Sequence, residues 1–194
     1  KKRSGELVSC FLDEIGDNLN GIGYAVDSAM KLSSIGGGVS FNISKIRARG
    51  EAIKGVDGRA GGVLPIMKIM EDTFSYANQL GQRPGAGAVY LNIFHSDIEE
   101  FLDCKKINVD EKVRIKSLSI GIIVPDKFME LAEKDEACYL ISPHTVMTEY
   151  GQYLDEMDMD EMYEELINNP NIKKKKINAR HLLVKIAQTQ KESG

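Results

Sequence analysis

The sequence lacks the features that mark disulfide-bonded, metal-binding and membrane-spanning proteins. It has three cysteines in 194 residues and contains no Cys-x-x-Cys or His-Glu-x-x-His motif. So few cysteines, odd in number, argue against a disulfide framework, and the missing ligand motifs argue against a metal site. No apolar run approaches the roughly 20 residues that cross a bilayer. We therefore expect a cytoplasmic protein with no metal and no membrane contact.

Charge and length narrow the class of protein further. The net charge of −4 offers no case for a nucleic-acid partner. A chain of 194 residues is long enough for one domain with a real core. It begins with Lys-Lys-Arg-Ser, without an initiating methionine and without the apolar core of a signal peptide. We expect residues 1–194 to form a single partial domain of a longer chain.

Apolar periodicity alternates along the chain between the strand and helix patterns. Strands are predicted at 6–12, 39–43, 88–94, 117–124 and 137–142. Helices are predicted at 18–34, 62–80, 96–105, 126–134, 159–168 and 179–191, with Ser96 and Asn178 as N-caps. This alternation predicts an α/β fold with a largely parallel sheet. The lysine run 173–176 is interpreted as a solvated turn before a helix.

Residues 72–94, DTFSYANQLGQRPGAGAVYLNIF, are the most informative stretch. A predicted helix runs into a glycine-rich loop and then into a strand. The glycines Gly81, Gly85 and Gly87 let the backbone approach a ligand closely. The guanidinium of Arg83 suits phosphate or a base edge. The side chains of Gln79 and Gln82 can each donate to and accept from a nucleobase. Phosphate-cradling loops run from strand into helix instead, and no GxGxxG or GxxxxGK[ST] spacing is present, which disfavours a generic phosphate-loop enzyme.

Ordered blocks along essentially the whole chain resemble one family, the large catalytic (alpha) subunit of class Ib ribonucleotide reductase. They read GELVSCFL-x-E-x-GD-x-L, GGGVSFNISKIRARGEAIKG, SYANQLGQRPGAGAVYLNIFH, FLDCKK, KSLSIGIIVPD and KKKKINAR. The resemblance implies half of a ten-stranded α/β barrel, with this chain covering the first half. It also implies radical-based reduction of ribonucleoside diphosphates to deoxyribonucleotides.

The resemblance assigns a redox cysteine and a substrate site. Cys10 matches the family's redox cysteine on the first barrel strand, and its disulfide partner would lie outside these residues. Ser9, Gly37 and Gly38 would bind substrate beside it. Taken from the residues alone, Cys10 is a small buried hydrophobe and the glycines are a helix C-cap. Cys104 and Cys138 match no catalytic motif and are interpreted as structural thiols.

The resemblance also assigns an allosteric site for a deoxynucleoside triphosphate or ATP. Asp17, Arg47 and Lys54 would hold its sugar and triphosphate, and Gln82 and Arg83 would read effector and substrate bases. The alternatives are ordinary. Asp17 could cap the helix that starts near Asn18, and the two basic residues could be free surface charges.

No cofactor is expected in the chain itself. The resemblance implies a small radical-generating subunit that supplies a dimetal-tyrosyl radical, a glutaredoxin-like reductant, and a homodimer in the full-length protein. The family's thiyl-radical cysteine has no counterpart in these residues, so we expect no turnover from the chain alone. The alternative is a non-catalytic nucleotide-sensing module or the product of a split gene.

Overall fold

A four-stranded parallel sheet organises the first two thirds of the chain. The computed structural model describes residues 8–77 and 85–193. Strands β1 (Cys10–Glu14), β2 (Gly38–Asn42), β3 (Gly87–Asn92) and β4 (Ser119–Ile123) lie side by side in that order, and every pair is parallel. The connecting helices are α1 (Leu19–Ser34), α2 (Val63–Tyr76) and α3 (Ile98–Asp103). The predicted α/β alternation is confirmed, and the described strands form an open sheet.

The rest of the chain adds four helices and a separate strand pair. These elements are α4 (Asp126–Glu133), β5 (Ala137–Ile141), α5 (Pro143–Tyr150), α6 (Met159–Asn168), β6 (Lys174–Asn178) and α7 (Ala179–Ser193). Strands β5 and β6 are antiparallel, which departs from the predicted parallel pattern. The end of β5 joins the segment after β3 through a parallel bridge between Ile141 and His95.

The interpretation of residues 173–176 as a solvated turn is wrong. Lys174–Asn178 form β6, in which Lys175 lies opposite Leu140 and Lys176 opposite Tyr139. The Lys175 ammonium also binds Glu99. Lysine is a poor strand former by itself, so the pairing with β5 decides this conformation.

Other differences concern helix ends. Helix α5 was not predicted, although Ser142 caps it, Pro143 occupies its first turn and Gly151 ends it with a φ of 68°. Asp97, not Ser96, is the N-cap of α3, whereas Asn178 accepts from the His181 N–H at 2.8 Å, as a cap does. Strand β1 begins at Cys10, so residues 8 and 9 are not part of it, and the predicted residues 6 and 7 lie outside the described part. Helix α2 ends at Tyr76, and the predicted residues 78–80 lie outside the described part.

The core lies between the sheet and its helices. Apolar side chains of β2, β3 and α2 are fully buried, which explains why these segments read as apolar runs; they are Phe41, Val89, Leu91, Met67 and Met70. The outer sides of α1 and α2 instead expose large apolar groups: Leu19, Tyr24, Ile69 and Tyr76. Within 8–77 and 85–193, no helix is long and apolar enough to cross a membrane.

Candidate functional site

The predicted substrate residues meet at the amino-terminal edge of the parallel sheet. Cys10 begins β1 and lies opposite Gly38, which begins β2. The Gly38 N–H donates to the Ser9 carbonyl at 2.8 Å. The register therefore brings Ser9, Cys10 and Gly38 together, although 28 positions separate the last two in sequence.

The two neighbouring glycines have different structural roles. A Cβ on Gly37 would lie 2.7 Å from the Phe11 ring and 2.9 Å from the Leu32 carbonyl, so packing requires glycine there. A Cβ on Gly38 would meet only the Ser9 carbonyl, at an ordinary 3.7 Å. The described neighbours therefore leave open space over Gly38, next to Cys10.

The three cysteines differ in accessibility. Cys10 is exposed, and its Sγ lies 3.9 Å from the Ser9 Oγ. Its interpretation as a small buried hydrophobe is wrong. Cys104 and Cys138 are buried, and burial raises the pKa of each thiol to about 12. The two buried thiols are therefore protonated at neutral pH, as structural cysteines are.

Two of the predicted effector residues meet at the opposite, carboxyl-terminal edge of the same strands. The Arg47 Nε donates to Asp17 Oδ2 at 2.8 Å, and the Arg47 backbone N–H donates to Asp17 Oδ1 at 3.2 Å. The guanidinium also donates to the Ala52 carbonyl. Asp17 does not cap α1, because Asn18 does so by accepting from the Gly21 N–H at 2.8 Å.

A hollow of about 210 Å³ opens beside this pair. Its walls come from the start of α1, the loop after β2 and the start of α2, and include Asp17, Leu19, Arg47, Ile53 and Gly62. Binding pockets for small molecules usually measure about 300–1,000 Å³, so this hollow can enclose only part of a nucleotide. Its lining combines the polar side chains of Asp17, Asn18 and Arg47 with apolar side chains such as those of Leu19 and Ile53.

Lys54 lies apart from the lining of that hollow, at the tip of a tight hairpin. Ile53 and Val56 exchange two backbone hydrogen bonds of 3.0 Å. The residues between them, Lys54 and Gly55, have φ values of 51° and 78°, as a type I′ turn requires. Lys54 is exposed there. Gln82 and Arg83 lie outside the described residues.

The loop after β2 is held by three carboxylates. Consecutive backbone N–H groups of Arg47, Ala48 and Arg49 donate to Asp17, Glu51 and Asp97 at 3.0–3.2 Å. Asp97 also accepts from the Val63 N–H at 3.1 Å. A Cβ on Gly62, where φ is 76°, would collide with the Asp97 carboxylate, so glycine is required there. Each backbone N–H group at positions 47–49 of this loop is therefore held by a carboxylate.

A comparison with known proteins identifies the family. Residues 8–194 match the family model described as ribonucleotide reductase, barrel domain. The chain belongs to this family. The ribonucleoside-diphosphate reductase subunit alpha of Bacillus subtilis is 58% identical over 194 residues, which cover all of this chain and 28% of that protein. The subunit alpha of Mycoplasma pneumoniae is 48% identical over the whole chain and 27% of its own length. The chain thus spans little more than a quarter of these relatives.

The sequence analysis did not identify the residues that support the loop after β2. His95 is fully buried, and burial lowers its pKa to about 4. The neutral ring accepts from the Asp97 N–H at Nδ1, so Nε2 carries the proton and donates to the Ile46 carbonyl at 2.8 Å. The available signal was position, because Asp17 and His95 each closely follow a strand of the parallel sheet. The carboxyl ends of such strands share one edge.

Glu51 is the other supporting residue that the sequence did not reveal. It is 5% exposed, and burial raises its pKa to about 7 although the Ala48 N–H opposes the shift. The Ser142 hydroxyl, at the start of α5, donates to the same carboxylate. Glu51 therefore ties the loop of this barrel domain to a helix that follows it by 91 residues.

The larger cavity of the barrel domain lies elsewhere. It measures about 610 Å³ between β4, α4 and α7 and is lined by residues such as Ile120, Phe128 and Leu183. None of the predicted site residues that the structure describes lines it. The predicted residues that the structure describes lie instead at the two edges of the parallel sheet.

Proposed function

We propose that the chain forms the specificity-sensing part and a portion of the substrate site of a class Ib ribonucleoside-diphosphate reductase alpha subunit. One observation carries the proposal: the same two strands, β1 and β2, present Cys10 and Gly38 at one edge and lead to Asp17 and Arg47 at the other. Two sites at opposite ends of shared rigid elements suit allosteric control of substrate choice.

At the amino-terminal edge, a ribonucleoside diphosphate would bind over Ser9, Gly37 and Gly38. Cys10 and a second cysteine elsewhere in the subunit would together give two electrons and the protons with which the ribose 2′ oxygen leaves as water. They would become a disulfide, which a glutaredoxin-like reductant reduces again. The exposed Cys10 thiol and the open space above Gly38 support this role. The radical would come from the dimetal-tyrosyl centre of a small partner subunit.

At the carboxyl-terminal edge, a deoxynucleoside triphosphate or ATP would bind as effector. Arg47 would contact the phosphates, with Lys54 reaching in from its hairpin tip, because charge-assisted hydrogen bonds to phosphate are strong. The Asp17 carboxylate would accept from a sugar hydroxyl. Gln82 and Arg83 would contact the bases.

A second copy of the subunit would complete this effector site. The hollow is small for a nucleotide. Leu19, which lines it, is exposed, and Tyr24 of α1 and Tyr76 of α2 add exposed apolar surface on the same two helices. Exposed apolar patches of this kind mark protein interfaces. A homodimer that packs these helices together would bury the apolar groups and deepen the hollow.

Nucleotide titrations test the regulatory half of the proposal. A ligand that binds only the folded state raises the unfolding midpoint, so dTTP and dGTP should raise it more than the matching ribonucleotides do. The shift should disappear in Asp17→Ala and Arg47→Ala but persist in Arg49→Ala, whose guanidinium contacts Glu100 instead. Equal shifts with ribonucleotides and deoxynucleotides would contradict the assignment. We expect the chain alone to form no deoxynucleotide when a radical-generating subunit is added.

A further inference from the structure

Ser33 connects the last turn of α1 to the end of α2. Its side chain is fully buried, and its hydroxyl donates to the Ala77 carbonyl at 3.0 Å, across 44 positions of sequence. Ala77 is the C-cap of α2. It is also the last described residue before 78–84, the segment that contains Gln82 and Arg83.

The other end of that segment reaches the same hydroxyl. Gly85 is the first described residue after 84, and a Cβ there would lie 2.8 Å from the Ser33 Oγ and 3.0 Å from the Ala77 carbonyl. It would also collide with the Phe74 carbonyl. Only glycine fits this close approach. Ala77 and Gly85, the two described residues that flank 78–84, therefore both lie at the Ser33 side chain.

The backbone of Ser33 holds the turn that carries the proposed substrate glycines. Its carbonyl accepts from the N–H groups of Ile35 and Gly36, the latter at 3.0 Å. Gly36 has a φ of 101°, which glycine adopts readily. Gly37 and Gly38 follow directly, and Gly38 pairs with Cys10. Ser33 thus contacts Ala77, lies beside Gly85 and holds the turn that precedes the proposed substrate glycines.

We propose that Ser33 is a positioning residue that determines substrate specificity, by holding Ala77 and Gly85 in a fixed relation to the turn at 36–38. This inference rests on the proposed function, because it needs an effector-dependent choice among substrates. Ser33 itself contacts neither nucleotide. Without the Ser33 hydroxyl, the Ala77 carbonyl loses this donor, and Ala77 and Gly85 are held less firmly relative to the glycine turn. The bound effector would then bias the choice of substrate more weakly.

The test uses the complete alpha subunit that carries these residues, together with its radical-generating subunit. CDP and GDP compete in one reaction, and the ratio of their products is measured once with dATP and once with dTTP. The quotient of these two ratios measures effector-dependent specificity. In Ser33→Ala we expect the quotient to lie about tenfold closer to one than the wild-type quotient does, a change within the usual range of allosteric couplings. The Kd for each effector should change by a smaller factor than the quotient does, because Asp17 and Arg47, which would hold the sugar and the phosphates, lie near the other end of α1.

Two further variants distinguish the hydrogen bond from simple loss of volume. Ser33→Cys keeps the size of the side chain but replaces the hydroxyl with a weak donor, so it should lose specificity as Ser33→Ala does and should stay folded if the alanine variant does not. Thr148→Ala removes a hydroxyl-to-carbonyl bond within α5 alone, from Thr148 to His144, and should behave as wild type.

The outcomes separate this inference from the proposed function. A wild-type quotient of one would overturn the proposed regulation and this inference with it. A wild-type quotient far from one that Ser33→Ala and Ser33→Cys leave unchanged would overturn the role of Ser33 alone. A variant whose effector Kd changes by a larger factor than the quotient does would also overturn it, because Ser33 would then act on effector binding rather than on the coupling between the sites.

Discussion

Arg47 is bound to Asp17 through both its side chain and its backbone. The guanidinium Nε lies 2.8 Å from Asp17 Oδ2, and the backbone nitrogen lies 3.2 Å from Oδ1. The third contact, from the guanidinium to the Ala52 carbonyl, fixes the remaining rotation of the side chain. The arginine is therefore held in one orientation before any ligand arrives, which lowers the entropic cost of binding an anion.

This geometry predicts that lysine cannot replace Arg47. A lysine ammonium lacks the planar fork that reaches the carboxylate and the carbonyl together. In Arg47→Lys we expect a loss of about 1–2 kcal/mol in the free energy of unfolding and a roughly tenfold weaker dNTP affinity. Calorimetric titration and urea unfolding measure the two effects. Arg49→Lys, at a half-exposed ion pair with Glu100, serves as the control, and an equal loss there would refute the prediction.

The glycines at 37 and 38 should respond oppositely to alanine. Gly37→Ala places a methyl group against Phe11 and Leu32, and overpacking of this kind costs about 1–3 kcal/mol. Gly38→Ala meets no such obstacle, so its unfolding midpoint should match the wild type or exceed it. Its methyl group would occupy the open space beside Cys10, so substrate KM should rise in the complete enzyme. A Gly38→Ala enzyme with normal KM would show that substrate does not approach this backbone.

The cysteines should differ sharply in reactivity. Alkylation needs an accessible thiolate; Cys10 is exposed, whereas burial raises the pKa of Cys104 and Cys138 to about 12. We expect iodoacetamide at pH 8 to modify Cys10 alone in the folded chain and all three cysteines in urea. Peptide mass spectrometry identifies the sites, and Cys10→Ser gives the background. Rapid labelling of Cys104 or Cys138 under native conditions would contradict the structure.

Glu51 should make the folded state less stable as pH rises. Its pKa is about 7 in the folded state against 4.5 for the ordinary carboxyl group, so the folded state binds more protons between these values. Stability due to this group is therefore present below pH 4.5 and is lost as pH rises through 7. Glu51→Gln keeps an acceptor for Ala48 and gains a donor for Ser142. Its stability relative to wild type should rise by up to about 3 kcal/mol between pH 5 and pH 8.

Urea unfolding at pH 5, 6.5 and 8 measures this difference. His95 titrates in the same range, but it is present in both proteins and its contribution cancels in the comparison. Glu130→Gln changes an exposed carboxylate on α4 and is the matched control. A pH-independent difference between Glu51→Gln and wild type would show that Glu51 is ionised throughout.

Glu71 should change stability with pH in the opposite direction to Glu51. Burial opposes its ionisation, but bonds from Lys68, Ser117 and Lys116 outweigh burial and lower its pKa to about 2. This stability is present above pH 4.5 and is lost as pH falls toward 2. Glu71→Gln should cost about 2–3 kcal/mol at pH 7, or a fall of about 5–10 °C in Tm. Asp72→Asn changes an exposed neighbouring carboxylate and should change Tm by less than about 2 °C. A fall as large as that of Glu71→Gln would contradict a specific role for the hydrogen bonds to Glu71.

Local sequence predicted the elements in which apolar residues follow a regular strand or helix pattern. Strand β3 and helix α2 have apolar runs or stripes that only one secondary structure can bury, and Asn178 marks a helix start by its own hydrogen bond. Strand β6 has no such pattern, because all four residues at 173–176 are lysines. Its conformation comes from hydrogen bonds to β5, which local sequence cannot register.

The sequence by itself determined the α/β alternation, the family and the residue types of both sites. Only the tertiary structure decided which of those residues meet. Parallel register places Cys10 against Gly38, and the loop after β2 turns back to bring Arg47 onto Asp17 across 30 positions. It also decided that Asp97, His95 and Glu51 would support that loop, because buried backbone N–H and C=O groups must find partners wherever the fold provides them.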